Sequence, residues 1–431
     1  MRHPLIRPGT SSSSNLLDLI KETYMEESHD IVIVGGGICG LATALALHRK
    51  GIASLVLEKS ETLRVDGGSI GVHVNGWRVL EQLGIAAELR ETANLVTAFH
   101  DVWQEEEKST LTPVRKELRW LKRKDLLETM AKNVPAGAIR LGCHITAIHP
   151  SDPGAVLTTP GGSIIRAKVL IGCDGSNSVV AKYLGLSPAK STPRTFLRGF
   201  TRYPHGHPFG DHFLRLRGKR FFVGRSPITD TLVSFFVACH IPSADACHLL
   251  HAGDTRDMRA TRHSVVQKLE GQCPAEIVEM VQNSDPESLN VVTKVWYRPP
   301  WQVAFASFRK GTVTVAGDAM HAMGSYIGQG GSAALEDALV LARSLARAAA
   351  GSGGGRDDEP CERTMIVGAA TAIGGYVRER RLRVARLSLE AFVVGELLRA
   401  KSLATKLACL GILALLGTKA LGHTNYDCGR L

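Results

Sequence analysis

The sequence predicts an α/β fold in which a parallel sheet covered by helices is joined to a second, mostly antiparallel sheet and to C-terminal helices. Three observations predict it. A glycine pattern at 35–40 separates an apolar strand from a helix, and a second strand, glycine loop and long helix follow at 311–350. Between 185 and 300, β-branched and aromatic runs alternate with proline and glycine turns.

The first βαβ unit covers residues 31–58. Residues 31–34 are a continuous apolar run of the kind found in buried parallel strands, and residues 38–50 are expected to form a helix that ends at Gly51. Residues 55–57 supply the second strand. The glycines therefore lie in the first strand-to-helix turn, where such sheets bind nucleotides.

Gly35, Gly37 and Gly40 form a GxGxxG pattern in this turn. The first glycine permits the tight turn, the second lets the backbone approach a pyrophosphate, and the third lets helix and strand pack closely. Glu58 ends the second strand, where its carboxylate can accept from ribose hydroxyls and would repel a 2′-phosphate. The unit therefore predicts the adenosine half of FAD or NAD rather than NADP.

A second glycine turn lies at 311–331, far along the chain. Its β-branched strand runs into Asp318, whose carboxylate can accept from polyol hydroxyls such as a ribityl chain. Gly328, Gly330 and Gly331 then open a long helix, expected to start near Gly330, whose positive N-terminal end would face the N1–C2=O edge of an isoalloxazine ring. Two such turns aimed at one ligand predict a long dinucleotide, FAD.

Between the two turns the sequence predicts helices at 75–83 and 118–130 and strands at 139–148 and 164–171. The last of these strands ends shortly before Asp174, which stands in an Asp-Gly turn. We expect Asp174 to contribute to the cofactor site, with a purely turn-forming role as the alternative.

These elements divide the chain into predicted regions, which are a disordered extension (1–29), a discontinuous FAD-binding domain (30–184 and 302–350), a substrate domain (185–301), a flexible loop (351–364) and a C-terminal helical region (365–431). Met25 is an alternative translation start within the extension. Residues 407–416 are apolar but too few to span a membrane, so a buried terminal helix is expected, with a contact to one membrane face as the alternative.

The net charge of +11 comes from lysines and arginines spread along the whole chain, which is typical of solvated surface and argues against a nucleic-acid partner. Nine cysteines without a CxxC pair indicate reduced thiols. A cytoplasmic location is therefore expected, with the chloroplast as the alternative because the N-terminus faintly resembles a transit peptide. The histidines lack metal-binding spacing, so no metal is expected.

The segments GGGICGLATALALHRKG with VLEK, IGCDGSNSVV, and VTVAGDAMH…GQGG…ALEDALVLA resemble the three signatures of single-component (class A) flavoprotein monooxygenases. YRPPW at 297–301, GFTRYPHGHPFG at 199–210 and the terminal HTNYDCG resemble the plant branch, which is similar to bacterial salicylate hydroxylases. The resemblance covers residues 30–431.

This resemblance implies a p-hydroxybenzoate-hydroxylase-like fold with a Rossmann-type FAD-binding domain, NAD(P)H as electron donor, and O₂. One oxygen atom would pass from a C4a-hydroperoxyflavin to a small aromatic or other electron-rich substrate held between the two halves. Ile38, Cys39 and Lys59 lie in the matched signatures, and Arg64 and Arg123 match arginines near the flavin. All five are therefore candidates for cofactor binding.

The sequence assigns no catalytic residue. His321 belongs to the family's structural pattern in the second glycine turn, and Tyr326 is a candidate for lining the substrate cavity. His212 and Tyr297 are expected in packing or at the surface. The arginines of 378–383 are expected on a solvated or interdomain face.

Two other functions remain open, namely epoxidation of an isoprenoid and a flavin-binding regulatory or interaction protein that has lost monooxygenation. The chain also departs from the family's HPMTPDLGQGG pattern, because Ala322 and Ser325 replace its prolines. Since proline fixes φ, we expect a looser loop beside the flavin and less efficient coupling of hydroxylation.

Overall fold

The computed structural model describes residues 26–63, 68–239, 255–351, 362–417 and 422–431. Most of the predicted extension and of the predicted flexible loop lie outside these ranges, as does Arg64. The parts that are described differ from the prediction. Residues 26–29 pair with 164–167 as the start of a strand, and residues 351 and 362–364 are helical.

The strands, in chain order, are β1 Glu26–Val34, β2 Leu55–Leu57, β3 Ser69–His73, β4 Asn94–Leu95, β5 Ala98–Trp103, β6 Lys108–Pro113, β7 Leu118–Lys122, β8 Ile139–Arg140, β9 Ala147–Pro150, β10 Ala155–Thr158, β11 Ile164–Gly172, β12 Lys190–Arg202, β13 His212–Arg217, β14 Phe221–Thr229, β15 Leu232–Cys239, β16 Asn290–Tyr297, β17 Arg309–Lys310 and β18 Val313–Val315. The helices are α1 Ile38–Arg49, α2 Val74–Gln82, α3 Ala86–Thr92, α4 Arg123–Lys132, α5 Val179–Tyr183, α6 Thr255–Leu269, α7 Ala275–Gln282, α8 Pro300–Phe305, α9 Asp318–His321, α10 Gly330–Gly351, α11 Glu362–Leu397 and α12 Leu403–Leu415.

The largest sheet has the strand order β17-β18-β11-β1-β2-β8, with β10 and β9 added alongside β11. β1 lies parallel to both β11 and β2, as the predicted βαβ unit requires. The strands of this sheet are apolar on both faces, so each face of the sheet must be covered by helices. α1 is buried from Ile38 to Leu47 and packs against α10, which places both glycine turns at one edge of this sheet.

The second sheet has the order β16-β12-β15-β14-β13-β5-β6 and is antiparallel except where β13 pairs with β5. The mostly antiparallel sheet expected between 185 and 300 is therefore present. Two of its strands, β5 and β6, come from residues 98–113, a segment that the sequence predicts in the FAD-binding domain. Apolar side chains of α6 and α7 cover one face of this sheet and form a second core with it.

The third sheet, of order β3-β7-β4, overturns the predicted helix at 118–130. Leu118, Leu121 and the later apolar residues fit a helical spacing, but residues 118–122 form β7 and α4 begins only at Arg123. β7 pairs with β3 on one side and β4 on the other, and such pairing overrides a local periodicity. The strand expected at 139–148 is likewise divided between β8 and β9.

The end of the chain returns to the FAD-binding domain. Arg343 Nη1 on α10 donates to the Cys428 carbonyl at 2.6 Å, and Gln82 Nε2 on α2 donates to the Gly429 carbonyl at 2.9 Å. The helix before this segment, α12, packs on α11. These contacts hold α12 against α11 and fasten the chain that follows it.

The predicted buried terminal helix is wrong. α12 has 13 residues, of which Cys409 is buried, whereas Leu403, Leu407 and Leu415 are 70%, 59% and 89% exposed. The error arises because hydrophobicity alone does not show whether a neighbouring element covers an apolar helix. Within the described ranges, no helix combines the length and the apolar character that crossing a membrane requires.

Candidate functional site

The first glycine turn is built by close backbone contacts. Gly35 has φ of +107°, a left-handed conformation that favours glycine, and its N–H donates to the Leu57 carbonyl at 2.8 Å. A Cβ on Gly35 would lie 2.4 Å from the Cys173 carbonyl oxygen, and one on Gly40 would lie 1.9 Å from the Gly35 oxygen. These two glycines are therefore required by the packing of the protein itself.

Gly37 differs from its neighbours because a Cβ added there would meet no protein atom within 4 Å. It stands immediately before α1, whose N-terminus has no side-chain cap and no acidic residue in its first turn. The first N–H groups of a helix are unpaired within it and carry partial positive charge. The turn thus leaves open space beside an anion-binding helix end.

Glu58 lies at the end of β2, as predicted, and is buried. Its Oε2 accepts from the Gly36 N–H at 2.7 Å and its Oε1 from the Ser60 N–H at 3.0 Å. The carboxylate therefore braces the glycine turn, a role that the sequence does not reveal. Lys59, the next residue, is exposed.

The second glycine turn rests directly on the first helix. Gly317 has φ of +60°, and a Cβ there would lie 2.9 Å from Cys39 Cβ and 3.0 Å from Cys39 Sγ. Its N–H donates to Asp337 Oδ2 at 2.9 Å. The two turns lie together, as the sequence predicts. Cys39 is buried, with its Sγ 3.6 Å from Cys173 Sγ, so it serves the packing between the turns.

The residues that follow Gly317 form the wall of the same site. Asp318 opens α9 and is exposed. Gly328 is left-handed at φ of +63°, and a Cβ there would lie 3.3 Å from His73 Nε2. A Cβ on Gly331 would lie 2.6 Å from Ile70 Cδ1, whereas one on Gly330 would meet nothing within 4 Å. The N-terminus of α10 thus has open space before it, as α1 does.

Two arginines face this region from other elements. Burial lowers the pKa of Arg123, at the start of α4, and the nearby Asp318 opposes that shift. Burial, followed by repulsion from Arg123, lowers the pKa of Arg198 on β12. Arg123 therefore lies within electrostatic reach of both Asp318 and Arg198. Arg123 thus interacts with an arginine of the antiparallel sheet and with an acidic residue of the second glycine turn.

The comparisons with known proteins agree with this geometry. A family model described as "FAD binding domain" matches residues 28–357. Monooxygenase 1 of Arabidopsis thaliana is 42% identical over 413 residues, which cover 94% of this chain and 100% of that protein. The chain belongs to this family of FAD-dependent monooxygenases.

Two more distant proteins are also similar to this chain. The 3-(3-hydroxy-phenyl)propionate/3-hydroxycinnamic acid hydroxylase of Mycolicibacterium smegmatis is 25% identical, with 83% of this chain and 63% of that protein covered. The solved structure of Klebsiella pneumoniae HpxO complexed with FAD and uric acid has a TM-score of 0.71 at 22% identity, covering 94% of this chain and 96% of that one. The p-hydroxybenzoate-hydroxylase-like fold expected from the sequence is confirmed.

The residues of this monooxygenase fit FAD. Gly37 immediately precedes α1 and Gly330 is the first residue of α10, and each has open space beside it. This suits an anionic pyrophosphate at one turn and an electron-rich flavin edge at the other. The exposed Asp318 carboxylate lies at the start of α9 and can accept from a polyol chain. Ile38 is buried in the first turn of α1 and helps to position it.

Asp174 has a local structural role. Its Oδ2 accepts from the Val179 N–H at 2.7 Å and from the Val180 N–H at 3.4 Å, at the start of α5. This is the turn-forming alternative raised by the sequence. Asp174 still borders the cofactor turn, because a Cβ on Gly35 would lie 2.9 Å from its Cα. Its contact with the cofactor stays a prediction.

A buried network of charged side chains lies behind the second glycine turn. Arg380 Nε on α11 lies 2.7 Å from Asp337 Oδ1 on α10, and Arg380 Nη2 lies 2.6 Å from Glu336 Oε2. Arg383 joins Glu336 at 3.0 Å, and His321 Nε2 lies 2.6 Å from Asp337 Oδ2. The side chains of Arg380, Glu336 and Asp337 are fully buried, so each charge depends on its partners.

This network fixes the second glycine turn and corrects one expectation. Burial would raise the pKa of Asp337, but His321 and Arg380 overcome it and lower that pKa to about 2. Asp337 remains ionised and holds the Gly317 N–H. Arg380 is therefore buried between α10 and α11, so the expected solvated face is wrong for this residue, whereas the alternative of a face between two predicted regions fits it. His321 has a structural partner in this network, consistent with its place in the family's pattern.

Tyr326 lies in a small cavity between the second glycine turn, α11 and the antiparallel sheet. Tyr297, Arg298 and Phe392 also line this cavity. The rings of Tyr297 and Phe392 are 5.8 Å apart, so Tyr297 packs as expected. Arg298 holds the turn from behind, donating from its backbone N–H to the Ala322 carbonyl at 2.7 Å. The loop without prolines is therefore supported by contacts from outside it.

Proposed function

We propose that the chain is an NAD(P)H-consuming monooxygenase that transfers one oxygen atom of O₂ to a small, electron-rich aromatic acid. The observation that carries this proposal is the proximity of two partly buried arginines, Arg123 and Arg198, the first of which also interacts with Asp318. Two arginines close to each other in a partly buried site repel, and a bound anion relieves that repulsion. A carboxylate or phenolate on the substrate supplies such an anion.

The position of Arg198 supports a substrate-binding role. Its Nη2 donates to Asn290 Oδ1 at 3.1 Å, and its buried Nε has no hydrogen-bond partner among the described residues. Guanidinium groups are well shaped for carboxylates, which they bind through two N–H groups. Since β12 belongs to the antiparallel sheet and Arg123 to the FAD-binding side, the substrate lies between the two halves.

The site would divide the chemistry between cofactor and protein. When bound, FAD supplies hydride acceptance from NAD(P)H and activation of O₂. The N-terminus of α10 provides positive potential at the flavin edge, Asp318 and the glycine turns orient the cofactor, and Arg198 orients the substrate ring. The antiparallel sheet excludes water from the space between them, which favours oxygen transfer over wasteful release of peroxide.

Two relatives agree with an aromatic acid. The Mycolicibacterium smegmatis protein is named a hydroxylase of 3-(3-hydroxy-phenyl)propionate, and HpxO was solved with uric acid. Both compounds are small, ring-containing acids. The two proteins share only 25% and 22% identity with this chain, so they support the class of substrate and not its identity.

The test begins with anaerobic mixing of the FAD-loaded protein with NADH or NADPH, followed by air and a set of hydroxybenzoic and hydroxycinnamic acids. We expect flavin bleaching, reoxidation and a hydroxylated product from at least one acid. Arg198→Met should raise the KM for that acid about tenfold or more, because a charged hydrogen bond is lost. Arg202→Met, which alters an exposed arginine four residues further along the same strand, is the matched control. An unchanged KM in Arg198→Met would reject the role of Arg198, and the absence of product from every acid would reject the proposed substrate class.

Epoxidation of an isoprenoid is the second candidate, favoured by the apolar exposed surface of α12. The two candidates differ in where the substrate is dissolved. Product formed from a carotenoid in lipid vesicles, with none from any aromatic acid, would select epoxidation. Flavin that is never reduced by NADH or NADPH, with any of these substrates present, would reject both.

A further inference from the structure

We propose that α12 and the basic residues beside it form a docking face for an anionic lipid bilayer, in which the helix lies at the interface and does not cross it. We call this surface the α12 face and define it by Leu403, Leu407, Leu410 and Leu415 with Lys401 and Lys406. The inference goes beyond the proposed oxygenation and does not depend on it.

The apolar side chains of α12 point away from the protein. Positions 403, 407 and 410 follow helical spacing and share one side, while the buried Cys409 faces α11. Leu403, Leu407, Leu410 and Leu415 are 70%, 59%, 51% and 89% exposed. The residues between them on this side are alanine and glycine. A surface helix of a water-soluble protein normally turns polar residues outward, and here that pattern is reversed.

The apolar surface continues beyond α12. Arg386 Nη2 on α11 donates to the Leu416 carbonyl at 2.6 Å, at the C-terminal end of α12. Leu382, one helical turn before Arg386 on the same side of α11, is 81% exposed. Contiguous exposed apolar surface of this kind marks a site of interaction with a protein or a membrane.

The charges around the α12 face match an anionic surface. Lys401 and Lys406 are exposed, and the sequence contains no aspartate or glutamate between residues 397 and 426. The whole chain carries a net charge of +11. Two interactions hold an interfacial helix on a membrane. Apolar side chains enter the boundary of the acyl chains, and lysines contact the anionic headgroups.

A second copy of the chain fits this surface less well. A 13-residue helix is roughly 20 Å long, so its exposed side offers a few hundred square ångströms, below the ~800 Å² per partner typical of a stable interface. Two such faces would also bring Lys401 and Lys406 of both copies together, without acidic partners in the segment. A bilayer needs no matching surface.

The experiment is flotation of the full-length, FAD-loaded protein with vesicles of phosphatidylcholine alone or of phosphatidylcholine mixed with phosphatidylserine. We expect binding to the anionic vesicles that weakens as salt is raised. Leu407→Glu and Leu410→Glu should each lower the partition constant about tenfold or more, and Lys401→Glu and Lys406→Glu about fivefold or more each. Leu111→Glu, which alters a leucine 56% exposed on the edge strand β6, is the matched control and should bind normally.

Flavin absorbance and circular dichroism of each variant check that it is folded, and light scattering after gel filtration gives the oligomeric state. The proposal is overturned if the wild-type protein floats with neither kind of vesicle, or if Leu407→Glu and Leu410→Glu bind as Leu111→Glu does. It is also overturned if the wild-type protein is a dimer that Leu407→Glu converts to a monomer while vesicle binding is absent. That last result would assign the α12 face to a second copy.

Discussion

Asp337→Asn is expected to destabilise the protein strongly, because it removes one of the two carboxylates that face a fully buried arginine. Asp337 Oδ1 lies 2.7 Å from Arg380 Nε, and Oδ2 lies 2.6 Å from His321 Nε2. The substituted amide keeps the size of the side chain but not its charge. Of its two carboxylate partners, Arg380 keeps only Glu336, at 2.6 Å.

The size of the effect follows from two estimates. Removing one partner of a buried ion pair costs about 3–5 kcal/mol, and the surviving Glu336 contact places the loss near the lower end. Independently, a fall in the pKa of Asp337 from 3.8 to about 2 corresponds to about 2 kcal/mol of stabilisation of its charged form. We therefore expect a loss of about 2–3 kcal/mol in the free energy of unfolding.

Urea unfolding at neutral pH, followed by circular dichroism, measures this loss in the FAD-loaded and FAD-stripped proteins. Glu128→Gln is the matched control, because it breaks an exposed pair with Lys124 at 3.7 Å and should cost about 0.5 kcal/mol or less. The double variant Asp337→Asn with Arg380→Met should be less destabilised than the sum of the two single variants. Equal losses in Asp337→Asn and Glu128→Gln would refute the reasoning.

Three further predictions concern the same turns. The difference in unfolding free energy between wild type and Asp337→Asn should become smaller as pH falls from about 4 toward 2. A carboxylate whose pKa is lowered in the folded state stabilises the fold only while it is ionised. Urea titrations in which this difference grows in acid would contradict the prediction. Gly37→Ala should remain folded but lose FAD on ultrafiltration, because its Cβ enters the open space beside the turn. Gly40→Ala should lower the melting temperature of the FAD-stripped protein, because its Cβ meets a backbone oxygen at 1.9 Å. Equal melting temperatures of the two variants would contradict this distinction. Ser325→Pro should add about 0.5 kcal/mol of stability and raise the amount of product formed per NAD(P)H consumed. The preceding residue, Gly324, has φ −58° and ψ 146°, a conformation that suits a following proline. Lower coupling than wild type in an oxygen-electrode assay would count against a loosened loop.

The cofactor turns could be predicted from sequence because each is encoded by residues within one short segment. Gly40 is needed for the contact between the first turn and the helix that follows it, Gly35 takes a left-handed conformation in the turn itself, and Gly317 follows a strand in the same way. Their convergence could be inferred because one ligand must touch both. The sequence does not show which group each side chain of the site contacts. One example is the Gly36 N–H, which donates to the Glu58 carboxylate.

Features that depend on residues far apart in the chain could not be predicted from local sequence patterns. Residues 118–122 have helical spacing, yet they form β7 because β3 and β4 lie on either side. Arg380 looks like part of a solvated basic cluster until Glu336 and Asp337 are found opposite it. α12 looks like core because its residues are apolar, and only the absence of a covering element among the described residues shows that they face outward.

The attachment of α12 to the body of the protein has a geometric consequence. Arg386 holds the C-terminal end of the helix, and the residues after it are fastened to α10 and α2 through Arg343 and Gln82. A helix on a free tail would leave the enzyme tumbling beside a bilayer. Here the body would have one fixed tilt and one side toward the lipid, so any opening to the active site would always stand at the same height above the membrane.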